Sequence, residues 1–250
     1  MIETFIVEQI KLNFPHIPTQ DQEQALQKMA CFIKDSNRRS VFILRGYAGT
    51  GKTTLVSALV QTMSALKQDS VLLAPTGRAA KVLSSYSGQP AFTIHKHIYR
   101  QKQFSSGWGV FQLDRNLSKR TLFIVDEASM ISNAFTGNGF GSGRLLDDLI
   151  KYVYSGEGCR LLLMGDTAQL PPVGEDMGLA LSDDILSDYG LTVYDSDLRQ
   201  VVRQLDESGI LYNATSLRQA IHADKCFAYP NLKVTPFKDV IPINGGDLIE

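Results

Sequence analysis

Apolar positions along this chain switch between two periods. Residues 19–34 place Ala25, Leu26, Met29, Ala30 and Ile33 at helical spacing, with Thr19 and Asp21 able to cap the start, and this predicts a helix. Residues 41–44 (Val-Phe-Ile-Leu) form a short unbroken apolar run ahead of a Gly-rich loop, as a buried strand does. A helix over 51–66, a strand over 71–74 halted by Pro75, and a helix over 77–85 follow. Residues 122–125 and 161–164 are two further apolar strands. Apolar strands alternating with helices predict an α/β fold built of βαβ units, with a mainly parallel sheet and helices on both faces.

Between residues 98 and 120 the pattern changes. Gly107-Trp108-Gly109-Val110-Phe111-Gln112-Leu113 alternates with period two and predicts a small β-hairpin inserted in the main domain. Residues 137–143 carry four glycines without a G-x-G-x-x-G pattern and read as a flexible loop. Residues 229–250, with three prolines and a Gly-Gly pair, read as a connector, so the expected domain spans 1–228.

Composition narrows the class. A chain of 250 residues, 44% hydrophobic and 20% charged, can bury one full core plus a small insertion, which excludes a disordered, collagen-like or coiled-coil protein. No run of 18 apolar residues exists and the first residues carry no basic and apolar leader pattern, so neither membrane nor export is expected. Cys31, Cys159 and Cys226 are odd in number and far apart, fitting neither a disulfide framework nor zinc; the expected compartment is a reducing cytoplasm. The net charge of −1 hides a division: residues 1–125 hold 16 Lys and Arg against 7 Asp and Glu, and residues 126–250 hold 9 against 19. A basic half beside phosphate-binding loops suits a nucleic-acid partner.

The chemistry begins at Gly46-Tyr47-Ala48-Gly49-Thr50-Gly51-Lys52-Thr53, which matches G-x-x-x-x-G-K-[ST] between a predicted strand and helix. The glycines let backbone N–H groups wrap a phosphate, and the helix N-terminus adds positive partial charge. Gly46, Ala48, Gly49, Thr50, Gly51, Lys52, Thr53 and Thr54 are therefore the expected nucleotide-binding set. Lys52 would reach the β and γ phosphates, and Thr53 would ligate Mg²⁺. The strand over 122–125 ends in Asp126-Glu127. Behind a phosphate loop, and with the two strands expected to abut, Asp126 is the candidate Mg²⁺ residue and Glu127 the candidate general base. After the fourth strand comes Gly165-Asp166-Thr167-Ala168-Gln169-Leu170-Pro171-Pro172, where the Gln169 amide can donate to a γ-phosphate oxygen and accept from water.

Taken in order, these segments resemble the motor proteins of helicase superfamily 1, most closely the RecD-like branch, over residues 18–205. The resemblance implies a RecA-like P-loop NTPase domain. Gln22 matches the residue that reads adenine. Residues 46–53 are motif I, Ala74-Pro75-Thr76-Gly77-Arg78-Ala79-Ala80 is similar to motif Ia, and Thr93-Ile94-His95 is similar to the adjacent strand-contacting segment. Asp126-Glu127-Ala128-Ser129 is motif II and residues 165–172 are motif III. Leu198-Arg199-Gln200-Val201-Val202-Arg203 resembles motif IV, which makes Arg203 an expected arginine finger. The family implies ATP-driven 5′ to 3′ translocation on single-stranded DNA and unwinding at a duplex fork by a monomer. It also implies a second RecA-like domain, for which residues 206–250 are too few.

Thr76, Arg78, His95, His97 and Trp108 are the expected nucleic-acid contacts: hydroxyl and guanidinium to phosphates, rings to phosphates or bases. Packed core histidines and an apolar patch under the hairpin, chiefly for Phe111, are the alternatives. A P-loop ATPase switch without unwinding activity, and a relative that tracks RNA, stay open from the residues alone.

Overall fold

The computed structural model describes residues 2–102, 110–135, 137, 139–175, 178–202, 208–222 and 231–243. The chain divides into two compact units, 1–200 and 201–250. In the first, helices α1 (Ile2–Leu12) and α2 (Gln20–Lys34) lead into strand β1 (Ser40–Gly46), helix α3 (Lys52–Ala65), strand β2 (Ser70–Ala74) and helix α4 (Gly77–Ser87). A short strand β3 (Ala91–Thr93) and one-turn helix α5 (Ile94–Ile98) precede the hairpin strands β4 (Tyr99–Lys102) and β5 (Val110–Leu113). Strand β6 (Leu122–Val125), helix α6 (Leu145–Ser155), strand β7 (Arg160–Gly165), helix α7 (Asp183–Asp188) and strand β8 (Thr192–Leu198) complete it.

Six strands form one sheet in the order β3-β2-β6-β7-β1-β8, and every described pairing in it is parallel. The side-chain period of two then sorts the apolar runs. Phe42, Leu44, Leu122, Ile124, Leu162 and Met164 face a core shared with α1, α2, α3 and α4. Val41, Ile43, Phe123, Val125, Leu161 and Leu163 face the opposite core under α5 and α6. Covering both faces explains why these strands read as continuous apolar runs.

Two strands escape the apolar pattern. β3 has only three residues, and β8 (Thr-Val-Tyr-Asp-Ser-Asp-Leu) is polar, yet it pairs with β1 from Ser40↔Thr192 to Gly46↔Leu198. The Arg45 guanidinium holds β8 in place, donating to Asp197 at 2.8 Å and Asp195 at 2.6 Å, and to Asp183 of α7 at 2.8 Å. Burial opposes the Arg45 charge, but Asp183 and Asp197 outweigh it and hold the group well above its usual pKa. With Lys28 also 3.7 Å from Asp195, part of the basic half is bound to acids of the second half instead of facing a ligand.

The phosphate-loop strand β1 and the acidic strand β6 do not abut, contrary to the expectation from sequence: β7 lies between them. The segment read as a flexible loop is also tied down. Phe111 N donates to Gly139 O and Gly141 N to Phe111 O, and Phe140 stacks on Phe111 with ring centroids 4.3 Å apart. Phe111 thus packs in an apolar patch beneath the hairpin. Among the described residues, no helix is long and apolar enough to cross a membrane.

In the second unit, Asp239 accepts from Ser208 Oγ and Gly209 N, both at 2.8 Å, at the start of helix α8 (Gly209–His222). Asn213 of that helix exchanges two hydrogen bonds with the backbone of Lys233, so residues 231–243 fold back on α8.

Candidate nucleotide and nucleic-acid site

All six strands end at one edge, and most of the candidate chemistry collects there. The phosphate loop leaves β1 at Gly46, where a Cβ would stand 2.7 Å from Thr50 Oγ1 and 3.0 Å from the Leu198 carbonyl oxygen; only glycine fits. Gly51, at φ +85°, starts α3 in the left-handed region that glycine enters without strain. Lys52 Nζ donates back to the carbonyls of Gly46 and Tyr47 at 2.5 and 3.0 Å, while Thr53 and Thr54 are half-buried in the first turn.

Gln22 is buried behind this loop. Its Nε2 donates to Thr50 O at 2.9 Å and its Oε1 accepts from Thr19 N at 3.0 Å, while Thr19 Oγ1 accepts from Gln22 N. The predicted adenine reader is thus half of a capping box and a brace for the loop. Asp21, one residue earlier, accepts from Arg199 N and Gln200 N at 2.8 and 3.0 Å, holding the start of the segment similar to motif IV.

Asp126, 8% exposed, ends β6 and accepts from Glu127 N at 2.8 Å. Burial pushes its carboxyl up to about 6; the Glu127 charge adds to this, while the Glu127 N–H bond and Lys52 pull the other way. Glu127 takes a left-handed backbone, φ +52°, which turns its side chain toward the loop after β7. There Gln169 Nε2 donates to Glu127 Oε2 at 3.2 Å, and Gln169 Oε1 accepts from Ser129 Oγ at 3.0 Å. Asp166, at the start of the same loop, reaches the other way: its Oδ2 accepts from Ala48 N at 3.1 Å and its Oδ1 from Ala168 N at 2.9 Å. Ser129 and Asp166 lie inside recognised motifs, but periodicity carries no signal for their bonds, which join strands far apart in sequence.

At the same edge, Thr76 caps α4 by accepting from Ala79 N at 3.2 Å, which leaves its hydroxyl proton to donate, and Arg78 is exposed. His95 and His97 lie deeper. His95 packs 5.7 Å from Tyr99 and 5.3 Å from Phe140; His97 sits among Phe92, Phe123 and Tyr152 with Nε2 buried. Burial lowers both pKa values, so the rings are neutral near pH 7. Trp108 and Arg203 lie outside the described residues.

A parallel sheet carrying a phosphate loop, an acidic strand end and a polar loop between them defines a RecA-like P-loop NTPase domain. The chain belongs to the AAA_30 family, the AAA domain whose model matches residues 18–226. It is 31% identical over 204 residues to the ATP-dependent RecD2 DNA helicase of Deinococcus radiodurans, covering 80% of this chain and 25% of that protein. It is 28% identical over 158 residues to the ATP-dependent DNA helicase dda of Enterobacteria phage T4, covering 62% of this chain and 33% of that one. The chain thus spans a quarter to a third of these relatives. Among solved structures, the Pif1 helicase from Bacteroides in complex with ADP-AlF3 and ssDNA is similar with a TM-score of 0.47 and 20% identity, covering 82% of this chain and 47% of that one. Family and relatives agree with the resemblance to the RecD-like branch of superfamily 1.

Proposed function

We propose that the chain is the ATP-binding motor domain of an ATP-dependent DNA helicase that translocates 5′ to 3′ on single-stranded DNA. The observation that carries this reading is the convergence of Lys52, Asp126, Glu127 and Gln169 on one sheet edge, with Gln169 3.2 Å from Glu127. Lys52 and the loop N–H groups hold the ATP phosphates, and Gln22 meets the base by giving up its hold on Thr50. The hard oxygen donors of Asp126, whose carboxyl at about 6 is still largely ionised at neutral pH, and of the Thr53 hydroxyl fit Mg²⁺, which when bound would offset phosphate charge. Glu127 takes the proton of the attacking water, oriented by Gln169, and Arg203 stabilises charge on the transferring phosphoryl group together with a second RecA-like domain. Thr76 and Arg78 grip DNA phosphates. Deep packing favours a supporting role for His97.

ATP turnover, with and without single-stranded DNA, tests this on the chain and on a form that also carries a second RecA-like domain. DNA stimulation is expected in the longer form alone. Lys52→Ala should abolish turnover there, and Glu127→Gln should keep nucleotide bound while turnover falls by about 100-fold or more. No stimulation in either form would favour a nucleotide switch instead. Displacement assays with 5′-tailed and 3′-tailed duplexes read the direction.

A further inference from the structure

A phosphate loop works by turning N–H donors toward an anion. One of these donors is already given to an anion of the chain itself: Ala48 N points at Asp166 Oδ2, 3.1 Å away. Asp166 is 8% exposed, and its other oxygen is held by Ala168 N, so the carboxylate is aimed at the loop by its own turn. Three residues on, Gln169 bonds Glu127 and Ser129. The group that activates water must stand beside the terminal phosphate, so a turn that touches Glu127 at one end reaches the phosphate loop on its terminal-phosphate side at the other.

We propose that Asp166 is a positioning residue that competes with the terminal phosphate of a nucleoside triphosphate for the phosphate loop, and so sets the balance between triphosphate and diphosphate binding. The proposal rests on the reading of residues 46–53 as a nucleotide site. Two anions at one loop repel, and repulsion is strong where water is excluded. A diphosphate lacks the group that meets Asp166. A triphosphate drives the carboxylate from Ala48, and the turn carries that displacement to Gln169 and thus to Glu127.

The test is equilibrium binding of ADP and a non-hydrolysable ATP analogue, with Mg²⁺, to the wild-type chain, Asp166→Asn and Asp166→Ala. Lys52→Ala is the control for binding through the phosphate loop. Both Asp166 variants should bind the ATP analogue about fivefold tighter or more, with ADP changed less than about twofold. A merely structural role for Asp166 would weaken both nucleotides together, and that result, or an unchanged ATP-to-ADP ratio, overturns the proposal. If no form binds either nucleotide, the phosphate-loop reading falls and the proposal with it. Should the variants not fold, the Ala48 amide resonance of the wild-type chain decides. It should shift with the ATP analogue and stay near its free position with ADP; equal shifts with both would overturn the proposal.

Discussion

Asp126 shows what the site costs the fold. An acid whose pKa is raised in the folded chain, here to about 6 from its usual value near 4, binds its proton more tightly folded than unfolded. Stability therefore falls as pH rises through that window, and the loss is complete above it. The shift amounts to about 2 to 3 kcal/mol. Asp126→Asn keeps the shape without the charge, so in buffer free of nucleotide and Mg²⁺ it should melt about 5 °C higher than the wild type at pH 8. The two melting curves should coincide at pH 4 and below. At this scale the sequence was most legible where a motif binds residues by spacing: Lys52, Thr53, Asp126 and Glu127 stand at one edge, though on strands that β7 separates. It was least legible for His97, whose spacing is the same whether the ring meets a base or, as here, three aromatic neighbours. Asp166 lies inside a motif, yet its bond to Ala48 spans a sequence distance that no local pattern encodes.

Among the elements, helix α2 joins fold to site most directly. Its capping box uses Gln22, and the same side chain braces Thr50. Thr19→Ala should cost about 1 kcal/mol of stability, measured by urea unfolding. Only the bond from Gln22 N to the Thr19 hydroxyl is lost, and the Gln22 side chain keeps Thr19 N and Thr50 O, so ATP binding should change by less than about twofold; a several-fold loss would tie the cap to the site. Boundaries of α2, α3, α4 and β6 fell within a residue or two of the apolar pattern. The elements missed have physical reasons. β8 is an edge strand whose Asp195 and Asp197 disguise it until Arg45 is placed beside them. α6 has a regular buried stripe of Leu146, Leu149, Ile150 and Val153, but its first residue follows Arg144, which offers no side-chain cap to mark the start.

For the molecule as a whole, the charge division along the chain is partly offset in space, since Arg45 and Lys28 are bound to acids of the other half. Arg78→Ala in the two-domain form should weaken single-stranded DNA binding across sequences alike. A plot of log affinity against log salt should become shallower by about one. The order of strands matters here too. Motifs I, II and III follow one another in sequence, but in space the third stands between the other two, because β7 separates β1 from β6. The opposite edge of the sheet, where the strands begin, holds none of the described candidate residues. Helix α2 carries Gln22 beside the phosphate loop in its first turn and runs to that far edge, where Arg160 Nη1 donates to Ile33 O at 3.0 Å. Cys31, exposed near its far end, is thus a ready attachment point for a fluorophore once Cys226 is replaced, because buried Cys159 is shielded. A dye placed there would report on the chain from the edge away from the phosphate loop, without standing against it.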